Sequence, residues 1–418
     1  MQDLSISNGF ALTQSQQVAL NALVDWMKDP NAPPYKTLSG YAGTGKTTLL
    51  NYVSEEAKKA GLTLAITATT NKAVKVLRDK IPNGAYFSTV HNLLDIKAKA
   101  KGTKELFVPG GKSKLDHYCL VVIDEASMIS CVDLPDQPSL LTLIQDQVSV
   151  TSGIKILFCG DPAQLQPINE DVSKVFDFSP VKLTEIVRHD DGISNVAGLL
   201  RNSSKAYTLK QLTSPPDIIP IMAKDVDKLF SEWKDNPDSI RMLAWRNASV
   251  EKWNKALHSV VASASPSQAF LVGDRVIANS LCVQPTQSGY GEVPLMQNSE
   301  EGTIISIEET AQAYRMKIKP ESGKVVNVQV LKSSYSGKLQ AMLRQYANDR
   351  KWKQYWATKK SFHDVRLCYS MTVHKSQGST FDSVIIDYQD IMANYNAENR
   401  NQLLYVGITR AAKKVYLL

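Results

Sequence analysis

Residues 36–48 read KTLSGYAGTGKTT. An apolar run, YKTLSG, leads into three glycines and a Gly-Lys-Thr. A helical pattern then runs from Lys46 to Ala60, with Gly61 placed to end it. The spacing from Gly40 to Thr47 is G-x-x-x-x-G-K-T, after a strand and at the opening of a helix, which is the context a phosphate-binding loop requires. Glycines let backbone N–H groups turn inward around an anion, and the helix N-terminus adds its positive end. Gly40, Ala42, Gly43, Thr44, Gly45 and Thr48 would form the cradle. Lys46 would reach the β- and γ-phosphates, and the Thr47 hydroxyl would ligate Mg²⁺.

Outward from this loop, strand-like and helix-like segments alternate to about residue 188. LTLAIT (62–67) precedes a helix-like NKAVKVLRDK that Pro82 stops. CLVVIDE (119–125) and IKILFCGD (154–161) are continuous apolar runs that end in polar residues. Strands buried on both faces of a parallel sheet read this way, and chemistry gathers at their carboxyl ends. Asp124 would hold the metal ion, and Glu125 would orient or deprotonate an attacking water, a task that a kinase or a passive switch does not need. Gln164, in FCGDPAQLQPI, can contact both the γ-phosphate and that water through one amide. Arg188 and Arg410 are candidate guanidinium groups for the charge on the transferring phosphoryl group, although either taken alone reads first as a surface ion pair, and the company of the other motifs argues against that.

A second alternating set follows: SIRMLAW (239–245), a helix-like 247–261, SVIIDY (383–388), a helix near 397–406 and a final KVYLL. Two α/β cores are therefore expected, at 1–190 and 191–418. Two stretches interrupt them. Residues 92–118 carry six lysines against three acidic residues and read as a basic hairpin, with ELFV as one arm and VPGGK as the turn. Residues 279–366 read as short alternating strands followed by a basic, aromatic segment.

Composition is that of a soluble globular protein, with 43% hydrophobic and 21% charged residues among 418. No apolar run reaches the ~20 residues that span a bilayer, and the N-terminus does not read as a secretory signal. The five cysteines form no C-x-x-C pair and read as buried, reduced thiols of a cytoplasmic protein. A net charge of +7 permits a polyanionic partner without requiring one. No nuclease signature or metal cluster is visible in the sequence.

Taken in order, LTQSQ (12–16), GYAGTGKTT (40–48), TATTNKAV (67–74), STVHNLL (88–94), VVIDEAS (121–127), GDPAQLQP (160–167), LTEIVRH (183–189), LAWRNAS (243–249), TVHKSQGSTFD (372–382) and LLYVGITRA (403–411) resemble the successive motifs of superfamily 1 DNA helicases. The likeness is to the RecD-like branch and, within it, to the compact Dda-like helicases of T-even phages. It covers nearly the whole chain. It implies two RecA-like cores with ATP between them, a hairpin inserted in the first and a small SH3-like domain in the second. Gln16 would read adenine through its amide, and Gln377 and Gly378 would approach the nucleotide from the second core. The implied partner is single-stranded or fork DNA, with 5′→3′ movement in replication or recombination. The protein would act as a monomer, with a single-strand-binding protein as a further candidate partner.

The resemblance also marks a strand-binding side: Thr69, Asn71 and His91 from the first core, and Arg246, Asn247, Thr372, His374 and Lys375 from the second. Such groups bind phosphate or stack on bases without reading sequence. His91 and His374 read as structural histidines at least as well. Arg246 stands where Dda-like proteins often have a small polar residue, so it is either an extra phosphate contact or a surface change. Trp352, Tyr355 and Trp356 have the spacing of a helix face that packs on a core, or of a stacking groove. Phe107 reads equally as a wedge at a DNA fork and as a pin holding the hairpin to its domain. Two other functions fit the motifs: a translocase that strips proteins from single strands, and a binding module switched by nucleotide.

Overall fold

A computed structural model describes residues 12–418 except 82–83, 168–169, 171–172, 188–191, 202, 204, 232, 234–235, 238, 266 and 286–291. The chain forms two compact units, one of residues 1–69, 73–97 and 109–190, the other of residues 70–72, 98–108 and 191–418.

In the first unit, Tyr35–Gly40 (β1), Leu64–Ala68 (β2), Tyr86–Thr89 (β3), Leu120–Asp124 (β6), Lys155–Gly160 (β7) and Pro180–Leu183 (β8) make a six-stranded parallel sheet in the order β3-β2-β6-β7-β1-β8. Between β3 and β6, Ile96–Lys101 (β4) and Lys104–Pro109 (β5) form a separate hairpin. The apolar runs of β6 and β7 are buried on both faces, so successive side chains serve two cores. Leu120, Val122, Leu157 and Cys159 join Leu23, Leu49, Val53 and Leu77 from the helices Gln14–Lys28, Lys46–Lys59 and Asn71–Lys80. Val121, Ile123, Ile156 and Phe158 join Leu141, Ile144 and Val148 of helix Leu140–Ser149. Because β1, β7 and β6 are consecutive in the sheet, the loops after them meet along one edge. Those loops carry the glycine run, Gln164, and the Asp124–Glu125 pair.

The second unit holds a five-stranded parallel sheet, ordered β18-β10-β19-β20-β9, of Ile218–Pro220 (β9), Ile240–Ala244 (β10), Ser370–Thr372 (β18), Phe381–Ile386 (β19) and Ala411–Leu417 (β20). Between β10 and β18 lie Arg275–Ala278 (β11), Cys282–Pro285 (β12), Glu292–Met296 (β13), Glu301–Glu309 (β14), Ala313–Pro320 (β15), Val326–Leu331 (β16) and Val365–Leu367 (β17). Five of these make an antiparallel sheet, β16-β15-β14-β11-β17, and β12 pairs with β13. The antiparallel sheet thus takes in β11, just before the expected 279–366 insertion, and β17, which runs one residue past its end. β15 alternates buried Met316 and Ile318 with exposed Arg315, Lys317 and Lys319, the pattern of a sheet with one wet face. Its dry face shares a core with Met242 and Ile385 of the parallel sheet.

The helices Ser333–Asn348 and Trp352–Lys360 pack together through Leu339, Leu343 and Tyr355. Packing therefore claims Tyr355 and, through a 2.9 Å bond from its Nε1 to the Gly102 carbonyl, Trp356. Trp352 stays 37% exposed.

The hairpin differs from expectation. Its turn is Gly102–Thr103, where Gly102 at φ 62° supplies the left-handed conformation that a two-residue connection needs. The VPGGK stretch instead closes the base, with the Gly110 N–H on the Asp95 carbonyl at 2.7 Å. Phe107 consequently lies along the returning arm rather than beside the tip, and it is 47% exposed. All five cysteines are free, but only Cys159, Cys282 and Cys368 are buried; Cys119 is exposed and Cys131 partly so. Among the described residues no helix is long and apolar enough to cross a membrane.

Candidate nucleotide site and strand-binding residues

The loop after β1 is built from turns that only glycine makes cheaply. Gly43 and Gly45 sit at φ 83° and 81°. Gly45 is the N-cap of helix Lys46–Lys59 and offers no side-chain cap, so the first N–H groups of the helix stay available to an anion. The Lys46 ammonium spans the loop, donating to the carbonyls of Gly40 at 2.5 Å and Tyr41 at 3.0 Å. Thr44 is buried and donates its hydroxyl to Tyr41 O at 2.9 Å. Thr47 is partly exposed and Thr48 exposed.

Gln16 braces this loop from below. Its Oε1 accepts the Thr13 N–H at 3.0 Å in a capping box, while its Nε2 donates to Thr44 O at 3.1 Å. The residue is 5% exposed. The amide expected to read adenine is thus engaged with the phosphate loop itself.

Asp124 ends β6, and its carboxyl is raised above the ordinary carboxylate value by burial, against the Glu125 N–H and the Lys46 charge. Cys159 lies alongside at the end of β7, its thiol pushed well up by burial and by Asp124. Glu125 leaves the strand in the left-handed region, at φ 54° and ψ 41°. For a residue with a Cβ this costs on the order of 1–3 kcal/mol, and such strain collects where a side chain must be aimed. Here it turns the chain directly after Asp124 and sets two carboxylates in succession at the sheet edge. Gln164 follows β7 in a turn whose backbone N–H bonds to Asp161 O at 3.2 Å. It is 5% exposed, and its Oε1 has no hydrogen-bond partner among the described residues. A buried, unsatisfied amide oxygen is costly unless a ligand or water donates to it.

A hydroxyl at a helix N-terminus with one carboxylate is the sparse oxygen set that suits Mg²⁺, which keeps waters and takes its remaining ligands from phosphates. Thr47 and Asp124 fit that ion.

In the second unit Arg410 is buried, its guanidinium on neutral oxygens: Val406 O, Ser379 O and Thr409 Oγ1, each at 3.2 Å. Gln377 is buried, and Gly378 sits at φ 72°. Arg188 falls outside the described residues.

The strand-binding candidates divide. His91 and His374 are both lowered in pKa by burial, which suits neutral, structural imidazoles. Thr69 bonds Met128 Sδ at 3.8 Å, and Thr372 Oγ1 accepts the Lys375 N–H at 3.3 Å. Asn71 is exposed, with Nδ2 3.3 Å from Gln297 Oε1, and Asn247 is exposed at the first turn of helix Asn247–Val261. Lys375 is the odd one. Burial pushes its ammonium down to about 8, with Asp364 pulling it up and Arg366 pushing it further down. Its Nζ is buried with no hydrogen-bond partner among the described residues. Arg246 is paired to Asp390 at 2.5 Å but remains 54% exposed. Sequence reasoning missed Asp390 and Cys159. A carboxylate two residues after the DY that ends SVIIDY carries no motif, and a thiol inside an apolar run reads only as core.

Residues 11–218 match the family described as AAA domain, and residues 367–418 match the UvrD-like helicase C-terminal domain. The chain is 24% identical over 455 residues to the ATP-dependent DNA helicase dda of Enterobacteria phage T4, covering 97% of this chain and 98% of that protein. It is 29% identical over 181 residues to the ATP-dependent RecD2 DNA helicase of Deinococcus radiodurans, covering 42% of this chain and 23% of that one. A Pif1 helicase structure, solved to explain unwinding of forked double-stranded DNA, shares the fold with a TM-score of 0.55 at 20% identity, covering 98% of this chain and 92% of that one. With family matches at both ends and a relative along its whole length, the chain belongs to the superfamily 1 helicases, in the group that holds RecD, Pif1 and Dda.

Proposed function

We propose that the chain is an ATP-driven DNA helicase that moves 5′→3′ along single-stranded DNA and parts the duplex ahead of it, in phage replication or recombination. The observation that carries the hydrolytic part is Gln164: a buried amide oxygen without a partner, at the sheet edge where Lys46, Asp124 and Glu125 end their strands and loops. On this reading Lys46 leaves the loop carbonyls for the β- and γ-phosphates, and the phosphate loop's N–H groups hold the rest. Glu125 takes the proton of the attacking water, and Gln164 holds that water and reports loss of phosphate. Thr47 and Asp124 would hold Mg²⁺, which when bound would supply positive charge at the phosphate oxygens. Arg188 and Arg410 stabilise the transition state as the cores close, Arg410 exchanging neutral acceptors for phosphate oxygens. Gln16, gripping both Thr13 and the loop, passes contact with adenine to the phosphates.

The cores are 1–190 and 191–418, with the hairpin 92–118 and an SH3-like insertion at 279–366. The strand lies against Thr69, Asn71 and His91 on one core and Arg246, Asn247, Thr372, His374 and Lys375 on the other. Polarity follows the branch the chain resembles. The working form is a monomer in the cytoplasm, meeting single-strand-binding protein on its track.

ATP turnover with and without oligothymidylate tests this reading against a nucleotide-switched binding module. A helicase hydrolyses ATP slowly alone and at least tenfold faster with the strand. Turnover that the strand leaves unchanged would favour the switch.

A further inference from the structure

Asp390 is a buried carboxylate, 4% exposed, in the short helix Tyr388–Met392. It gathers four donors from the turn that joins β10 to helix Asn247–Val261 and from the first turn of that helix. They are the backbone N–H groups of Trp245 at 2.7 Å and Arg246 at 2.9 Å, the Ser249 hydroxyl at 2.6 Å, and Arg246 Nε at 2.5 Å. Burial alone would raise this carboxyl, but the hydrogen bonds from Ser249, Arg246 and Trp245 hold it below the usual range. Asp387 completes the brace. Its Oδ1 accepts the Asp390 N–H at 3.0 Å and its Oδ2 accepts Trp253 Nε1 at 2.7 Å. One short segment therefore fixes the first two turns of helix Asn247–Val261.

The consequence falls on Arg246. Its Nε is spent on Asp390, yet the side chain is 54% exposed. Among the described residues its two terminal nitrogens make no other hydrogen bond. A guanidinium is a rigid plane, so anchoring one edge fixes the direction of the other. A free arginine loses rotamer freedom when it grips a ligand. Arg246 has given up much of that before a ligand arrives, which favours binding.

We propose that Asp390 is a positioning residue that presents the terminal nitrogens of Arg246 to a backbone phosphate of the bound strand. The inference rests on the strand-binding reading above. The carboxylate takes the Nε edge of the guanidinium and leaves the terminal nitrogens to the phosphate.

Binding of a fluorescent oligothymidylate, measured across a range of salt, tests it. One lost phosphate contact lowers the slope of log affinity against log salt by about 0.7. Arg246→Ala should show that loss, with Asp390 still held by the Trp245 and Arg246 backbone N–H groups and the Ser249 hydroxyl. Asp390→Asn should weaken binding several-fold in the native chain and add little in an Arg246→Ala background. An unchanged slope for Arg246→Ala overturns the proposal, whether or not Asp390→Asn folds. So do penalties for the two substitutions that simply multiply, which would make Asp390 a structural residue alone. If the native chain binds no oligothymidylate at any salt, the strand-binding reading itself fails.

Discussion

Lys46 donates to two carbonyls of its own loop, at 2.5 and 3.0 Å, so its charge is already centred where phosphates would lie. Lys46→Ala should cut ATP turnover to below a tenth of the native rate while single-strand binding persists, as filter binding and phosphate release would show. Retained turnover would remove the assignment of the loop. Lys375 makes a pH prediction. Its ammonium, pushed down to about 8, is charged below that pH and loses its proton above it. Affinity for single strands should therefore fall between pH 7 and 9 as a phosphate loses its cation. Lys375→Arg stays charged throughout and should flatten that fall. At this scale the sequence was most legible where a residue's neighbours define its task. Lys46 and Asp124 follow from spacing alone. The Gln16 brace does not, because a capping box and a bond across 28 residues are visible only when the loop is folded. Asp390 acts through the shape of a turn distant in sequence, and no local pattern announces that.

Elements follow the same logic. The strands β6 and β7 and helix Asn247–Val261 were legible because continuous apolar runs and periodicity fix them. The hairpin turn was misplaced because Pro109–Gly110–Gly111 is the louder turn signal, while Gly102–Thr103 is the one with strands on both sides. Phe107 lies mid-arm and is 47% exposed. Phe107→Ala should reduce unwinding severely and spare strand-stimulated ATP turnover, compared in parallel assays. Equal loss of both would mark it as structural. Elements also lean on one another through buried polar contacts. Lys155 of β7, 7% exposed, donates to Trp26 O at 2.8 Å and Asp29 O at 2.5 Å, where helix Gln14–Lys28 ends. Lys155→Met keeps the stem but leaves those carbonyls without their donor. It should cost about 1–3 kcal/mol, read as a lower urea midpoint at unchanged slope.

At the scale of the molecule, two parallel sheets supply edges on which loops can be changed without disturbing the cores. One edge carries the nucleotide groups, and the loops of the other carry Arg410, Lys375 and the Arg246 turn. The most direct measurement is unwinding of duplexes bearing a single-stranded tail at only one end, with ATP and Mg²⁺. The account predicts strand separation on the 5′-tailed duplex, none on the 3′-tailed one, and none on either without ATP. Separation of the 3′-tailed duplex alone would reverse the polarity. Failure on both, with strand-stimulated ATP turnover intact, would contradict the helicase and leave a translocase that strips proteins from single strands.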